Sequence, residues 1–516
     1  MLTRHVCAEP DAVGPYEGVL LAGVGCSDIT TEEADHGVRD RLFAKALVFD
    51  DGRVRLAIVA MDAVAIGGIC DIPEDFLPEL RSRIESELGI PGAHVLVNAS
   101  HTHPPGRILC PRDELLRRTL AAVHSAVTHM EEAHIGTGVV HENRLQMNRI
   151  LRMKDGTHWT IRHTNPSPPD ENVEGVGPMD PDIGVLRVDR LDGRPLAVVF
   201  NFACHQLFGD APGRITANFS GVASRVIEEQ LGGDAMALFL QGAAGDVIDR
   251  GFKEFHSLRD IEPLGWKLAL DVLRAVRGIE TRQGDLGVVT RHIELPRRHD
   301  FESRICRLRA EQARLLESLR FTSLNFKSFL PLYLRHTLHP QHPSGDVAAY
   351  LQAESVGDAG LHEMDELNRQ NIAKYLSNLR GMERLAHIQD DLATIARHEE
   401  INRASDSTTI RMEIQGLRIG TCVFLAVPIE VLTEVALNVK AASPWEHTFL
   451  AAFSNGYMHY GPPAHDYDKG SYEVTECFLA PEWQPLFEKA ARDVLRELHA
   501  ISSKSTAPSA RASLPS

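Results

Sequence analysis

With 516 residues, 43% of them hydrophobic and 24% charged, the chain has the composition of a folded protein. It exceeds the roughly 250 to 300 residues at which a single core stops growing, so a large body plus an accessory element is expected. A net charge of −17 argues against non-specific nucleic-acid binding and against anionic membrane surfaces, since both reward clustered Lys and Arg.

No stretch approaches the roughly 18 uncharged apolar residues of a spanning helix, and the N-terminus lacks a secretory-type apolar core, so a cytoplasmic address and no stable membrane insertion are expected. The eight cysteines contain no C-x-x-C pair and read as buried free thiols. The N-x-S sequons at Asn98 and Asn218 fall inside apolar core motifs and are set aside as glycosylation signals.

In chain order, residues 1–17 are a loose lead-in. Gly18 to Gly25 reads as a strand entering a glycine turn, without the remainder of a dinucleotide fingerprint. Leu42–Phe49 and Val54–Met61 form a hairpin about Asp50-Asp-Gly52. Asp62 follows at once, where a carboxylate can orient a ligand histidine or simply be solvated. Glu74 to Leu88 is helical by its apolar spacing, and Gly89 stops it.

Val95-Leu-Val97 is a short buried strand that delivers Ser100-His-Thr-His103 before Pro-Pro-Gly106 ends it. His101 and His103 thus stand beyond a strand's carboxyl end, where α/β sheets collect ligands. Spacing of i, i+2 on extended chain sends both to one face, suiting a metal ligand beside a hydrogen-bonding imidazole or two structural histidines. A helix spans about Asp113 to Met130. Residues 141–182, rich in Asn, Pro, His and Asp, form a long irregular connection containing Asn148-Arg149.

Pro195 to His205 repeats the grammar of an apolar strand ending in histidine, and Ile215 to Gly221 opens a helix to about Gln230. Ala235 to Leu240 is another buried strand, followed by Gln241-Gly-Ala-Ala-Gly-Asp-Val247, which lacks the Gly-Lys-Ser/Thr of a phosphate loop. From about 300 to 405 strand runs give way to an amphipathic stripe through Ile372, Leu376, Leu379, Ile388 and Ile395, read as a helical hairpin, with a lid or a dimer contact as alternatives. His336, His339 and His342 recur every third residue, but the prolines among them break the helix that would align them on a metal.

Leu417 to Val427 is a strand ending in Pro428-Ile-Glu430, with a helix from Val431. Phe449 to Phe453 delivers Ser454-Asn-Gly-Tyr-Met-His-Tyr460, and a last helix covers about Trp483 to Leu498. Residues 501–516 are compositionally disordered. The expected architecture is α/β: mixed β-sheets packed in layers and flanked by helices, with an inserted helical hairpin. The division is 18–299 and 406–500 for one body and 300–405 for the insertion.

Strand tips therefore offer His101, His205, Glu430 and a tyrosine of the Tyr457/Tyr460 pair, and two imidazoles with a carboxylate are the donors of catalytic zinc hydrolases. The blocks Ser100-His-Thr-His103, Asn201-Phe-Ala-Cys-His205, Ile215-Thr-Ala-Asn-Phe-Ser-Gly221, Gly245-Asp-Val247, Pro428-Ile-Glu430 and Tyr457-Met-His-Tyr460 with Ser471-Tyr-Glu473 resemble, in order, the catalytic domain of the neutral/alkaline (non-lysosomal) ceramidases. The resemblance implies a ceramidase-like αββα fold and a Zn2+ ion held by His101, His205, Glu430 and Tyr460, with Tyr457 close by in sequence. It also implies that His103, Arg149 and Tyr472 face a substrate amide.

The chain departs from that pattern where the family carries a serine beside the zinc: Gly245-Asp-Val-Ile-Asp-Arg250 has Ile248 there, with Asp249 next to it. An isoleucine excludes any step that needs the hydroxyl. Counterparts of the family's secretory signal and C-terminal immunoglobulin-like domain are not expected in this chain. The expectation is a zinc-dependent hydrolase of a linear N-acyl bond in a soluble small molecule. The alternatives are an ester hydrolase or a metal-containing binding protein without turnover. A homo-oligomer through the helical insertion is a further expectation.

Overall fold

The structure, a computed structural model, describes residues 18–34, 37–162, 167–207, 209, 213–232, 234–250 and 260–506, with side chains to 502. The lead-in expected over 1–17 and the tail beyond 506 lie outside them. By compactness the chain divides into two units, one of residues up to Arg298 and from Ser407, the other His299–Asp406.

The first unit opens with β1 (Leu21–Asp28), β2 (Phe43–Asp50) and β3 (Arg55–Met61), then α1 (Phe76–Leu88), β4 (Val95–Ala99) and α2 (Arg112–Thr128). The long β5 (Glu131–His141) leads to the short β6 (Gln146–Asn148), β7 (Ile150–Met153), β8 (His158–Thr160) and β9 (Val173–Val176). Next come β10 (Asp182–Arg190), β11 (Pro195–Phe202), α3 (Asn218–Leu231), β12 (Met236–Gln241), β13 (Val247–Asp249), α4 (Glu262–Gly278) and β14 (Leu286–Pro296).

The second unit consists of α5 (Phe301–Ser318), α6 (Phe326–Leu338), α7 (Val347–Ser355) and α8 (Gly360–Arg403). The first unit resumes with β15 (Thr409–Ile419), β16 (Cys422–Ala426), β17 (Glu430–Val431), α9 (Thr433–Ala441), β18 (His447–Ala451) and β19 (Tyr460–Gly461). It closes with α10 (Tyr472–Thr475) and α11 (Trp483–Thr506), whose last turns take in the beginning of the expected tail.

An eight-stranded sheet runs β12-β11-β10-β5-β1-β2-β3-β4, and a four-stranded one runs β14-β15-β16-β18. The two-residue strand period makes the layers. Ala44, Ala46 and Val48 of β2 face α1 and α2, while Leu47 and Phe49 face Leu417, Phe424 and Phe449 of the other sheet. Strands β10 to β12 are covered outside by α3 and α4, and the four-stranded sheet by α9 and α11. This is the αββα layering expected. The sheets approach so closely at Gly184 that a Cβ there would lie 2.4 Å from the Phe449 ring.

The sequence reading missed three things here. Among the described residues of 141–182 much is regular: β7 pairs with β8 and β9, and β6 with β13. The run Leu417–Val427 contains a hairpin, because Gly420 takes φ +59° and turns β15 into β16. Of the cysteines, Cys26, Cys70 and Cys306 are exposed.

Within the second unit α5 and α8 form an antiparallel hairpin. Arg384 pairs with Glu311, and Arg320 and Asn378 exchange hydrogen bonds further along. The shorter α6 and α7 fill the connection between them. His336, His339 and His342 are not among the groups of described residues that could hold a metal.

Candidate metal centre

The site lies where strands run out. Beyond β4 and β11 the backbone continues the sheet by single parallel bridges, Thr102 to Gln206 and His205 to Ile248, so the tips stay side by side. Glu430 pairs in parallel with Tyr460 across β17 and β19. Asn98 ties three tips together: its amide donates to Ala452 O (2.6 Å) and Ser454 Oγ (2.9 Å), and its Oδ1 accepts from Gln241 N–H (2.9 Å). Asn98 and Asn218 are both buried, in keeping with setting aside their sequons.

His101 is held in the left-handed region, φ +60°, a conformation that costs energy for a residue with a Cβ. The extended-chain argument for the histidine pair therefore does not apply; a local kink brings His103 back over His101, ring centroids 4.2 Å apart.

His101 Nδ1 lies 2.7 Å from the Val64 carbonyl, and His205 Nδ1 2.7 Å from the Ala244 carbonyl. A carbonyl only accepts, so each Nδ1 carries the proton and each Nε2 presents a lone pair. Those two lone pairs face each other at 2.8 Å, and His103 Nε2 stands 2.9 Å from His101 Nε2. Burial, then the neighbouring imidazoles, holds both His101 and His205 well below the ordinary imidazole range, so both are neutral.

Glu430 Oε2 lies 3.5 Å from His205 Nε2 and 3.9 Å from His101 Nε2, is buried, and has no hydrogen-bond partner. Burial pushes this carboxyl up to about 7, against the opposing pull of the Tyr457 hydroxyl. Converging lone pairs beside an orphaned carboxylate oxygen are mutually unfavourable unless a proton or a metal cation sits among them, and the donor types, two imidazoles and a carboxylate, fit a metal such as zinc. His101, His103 and His205 together are close enough to share one ion.

The two tyrosines have distinct surroundings. Tyr457 donates to Glu430 Oε1, whereas the buried Tyr460 hydroxyl accepts from Arg149 Nη2 at 3.1 Å. Arg149 is also bound through Nε to Glu473 (2.8 Å) and through Nη2 to the Gly245 carbonyl (2.7 Å). Glu473 in turn accepts from Thr160 Oγ1 at 2.8 Å. Tyr472 packs edge-on to Tyr460 at 5.4 Å, with the Arg162 guanidinium 3.5 Å above its ring. Burial raises the Tyr472 phenol to about 12, so it is a proton donor at neutral pH.

His103 is exposed at the rim, unlike its buried neighbours. Ile248 is fully buried beside His205, and Asp249 Oδ2 accepts from Leu207 N–H at 3.1 Å. Asp62 does not orient a histidine. Its carboxylate accepts from Phe43 N–H (2.9 Å) and lines a separate cavity of about 410 Å³, and backbone carbonyls orient both imidazoles instead. The sequence reading passed over two contributors, Asn98 as a brace between strand tips and Phe453, whose ring lies 4.0 Å from that of His101.

The layers and this cluster define an α/β protein with a candidate metal-binding cluster at the carboxyl ends of its strands. No family profile matches the chain, and no curated protein matches it. Among solved structures it is similar to the neutral ceramidase from Pseudomonas aeruginosa, with a TM-score of 0.60 and 16% identity. It is similar also to a ceramidase complexed with C2, with a TM-score of 0.60 and 15% identity. Each match covers 97% of this chain and 77% of the other. The chain has the neutral ceramidase fold.

Proposed function

We propose that this protein is a metal-dependent hydrolase of a linear amide bond, acting on an N-acyl small molecule, with zinc held by His101, His205, Glu430 and Tyr460. The observation that carries this reading is the convergence of two Nε2 lone pairs and the unpartnered Glu430 Oε2. A zinc ion, when bound, supplies Lewis acidity and brings the pKa of water near 7.

The chain's own residues do the rest. Val64 and Ala244 carbonyls fix the imidazole tautomers, and Tyr457 holds one oxygen of Glu430 so that the other faces the histidines. Tyr472 donates its phenolic proton toward the oxygen of the substrate carbonyl. The exposed His103 gives a proton to the departing amine nitrogen. Arg149, its Nε and Nη2 engaged with Glu473, Gly245 and Tyr460, is a positioning residue.

The names of the solved neighbours favour an amide over an ester. A second reading, a metal-containing binding protein without turnover, is favoured by Ile248, which offers no hydroxyl at its place beside His205. The test is metal analysis of purified protein together with hydrolysis of matched short N-acyl amines and esters. Amide cleavage that is lost on chelation and in His205→Ala supports the first reading; one metal per chain with no turnover on either panel supports the second. Cleavage confined to esters, or no bound metal, overturns the amide assignment.

A further inference from the structure

The chain's acidity is not evenly spread. From Ser318 to Gly345 there is no Asp or Glu, while Arg320, Lys327 and Arg335 and three histidines fall in the same stretch. This acid-free segment includes all of α6. On α6, Phe326, Leu330, Leu334 and Leu338 follow one another at four-residue steps, so they lie along one side of the helix.

That side is turned outward. Phe326 is 64% and Leu338 69% exposed, Leu330, Tyr333 and Leu334 are exposed with them, and Phe321 just ahead of the helix is 88% exposed. The side against α8 is apolar too: Phe329 is buried and stacks on Tyr375 at 4.3 Å. The helix thus has an inner apolar face that packs and an outer apolar face left in water. On α7, Val347 and Leu351 are exposed as well. A contiguous exposed apolar face on a surface helix marks an interaction site.

We infer that the outer face of α6 docks the protein reversibly on an anionic lipid surface. Phe326, Leu330, Leu334 and Leu338 enter the headgroup boundary, and Arg320, Lys327 and Arg335 meet the lipid phosphates. Charge selects this occupant. A second copy laid face to face would bring the same three cations against three more, with no carboxylate in the segment to offset them. An anionic bilayer offers both what the apolar stripe needs and what the cations need. The net charge of −17 conceals this face because the carboxylates lie elsewhere in the chain. Docking of this kind places no helix across the bilayer, and among the described residues none is long and apolar enough to cross one.

The test is co-sedimentation of the full-length protein with vesicles of phosphatidylcholine alone and of phosphatidylcholine with phosphatidylglycerol, which needs no turnover and so stands apart from the hydrolase assignment. Binding to the anionic vesicles, weakened at least about tenfold by high salt, is expected. It should be lost in Leu330→Ser/Leu334→Ser/Leu338→Ser and reduced in Lys327→Gln/Arg335→Gln, with circular dichroism confirming that both variants fold. No binding to either vesicle, or binding that the variants leave unchanged, overturns the proposal. So does a dimer in sedimentation velocity that the triple-serine variant dissociates, which would make a second copy the occupant.

Discussion

Tyr457 donates its hydroxyl to Oε1 of Glu430 at 2.5 Å, and this bond leaves Oε2 of the same carboxylate facing His205 without a partner. If Tyr457 supports the carboxylate from outside the metal shell, Tyr457→Phe should weaken metal binding by about 10- to 100-fold without changing its stoichiometry. Chelator competition measures this. A larger loss in Tyr457→Phe than in Tyr460→Phe would exchange the roles assigned to the two tyrosines.

Because the converging imidazole lone pairs repel one another in the absence of a cation, metal should stabilise the fold as well as serve chemistry. Zinc at 100 times its dissociation constant adds about 2.7 kcal/mol to unfolding. Thermal melts of chelated protein should rise on adding zinc, and melts of His101→Ala/His205→Ala should not respond.

The buried pair of Arg149 and Glu473 predicts asymmetric damage. Arg149→Met strands a fully buried carboxylate and should cost about 3–5 kcal/mol, read by denaturant unfolding. Adding Glu473→Gln should recover part of that loss, because the stranded charge is gone.

Asp62 gives a pH dependence. Burial lifts its carboxyl to about 7, with the Phe43 N–H pulling the other way, so the folded state holds a proton that the unfolded chain releases in the ordinary carboxylate range. Stability from this group is therefore lost as pH rises from that range toward about 7. Asp62→Asn, which keeps an acceptor for Phe43, should melt at least about 2 °C above the parent at pH 8. The gain should shrink as the pH falls toward the ordinary carboxylate range.

Residues whose role is written in local pattern were legible. Val95-Leu-Val97, Ala235–Leu240 and the hairpin about Asp50-Asp-Gly52 announced themselves by apolar runs and turn chemistry, and the candidate ligands His101, His205 and Glu430 by their place beyond strand ends. What depends on three-dimensional context was not. The left-handed backbone of His101 leaves no mark in composition, since most residues at φ +60° are glycine. The strand β5, with glycines at 136 and 138, reads as weak until Ile279 and Glu280 are seen packed where their side chains would be. The break at Gly420-Thr421 hides in a run that is apolar on both sides. The outward stripe of α6 obeys the same periodicity as a buried one, and only exposure tells them apart.

Pro296 and Thr409 are the last partners in the antiparallel ladder of β14 and β15, and Arg297 N–H still reaches the Thr408 carbonyl beyond them at 2.9 Å. The helical unit accordingly leaves and rejoins its host at one point, as a cassette threaded through the tip of a β-hairpin. Excising residues 299–406 and closing the gap with Asn-Gly should yield a shorter chain that folds and still carries every residue of the candidate metal centre.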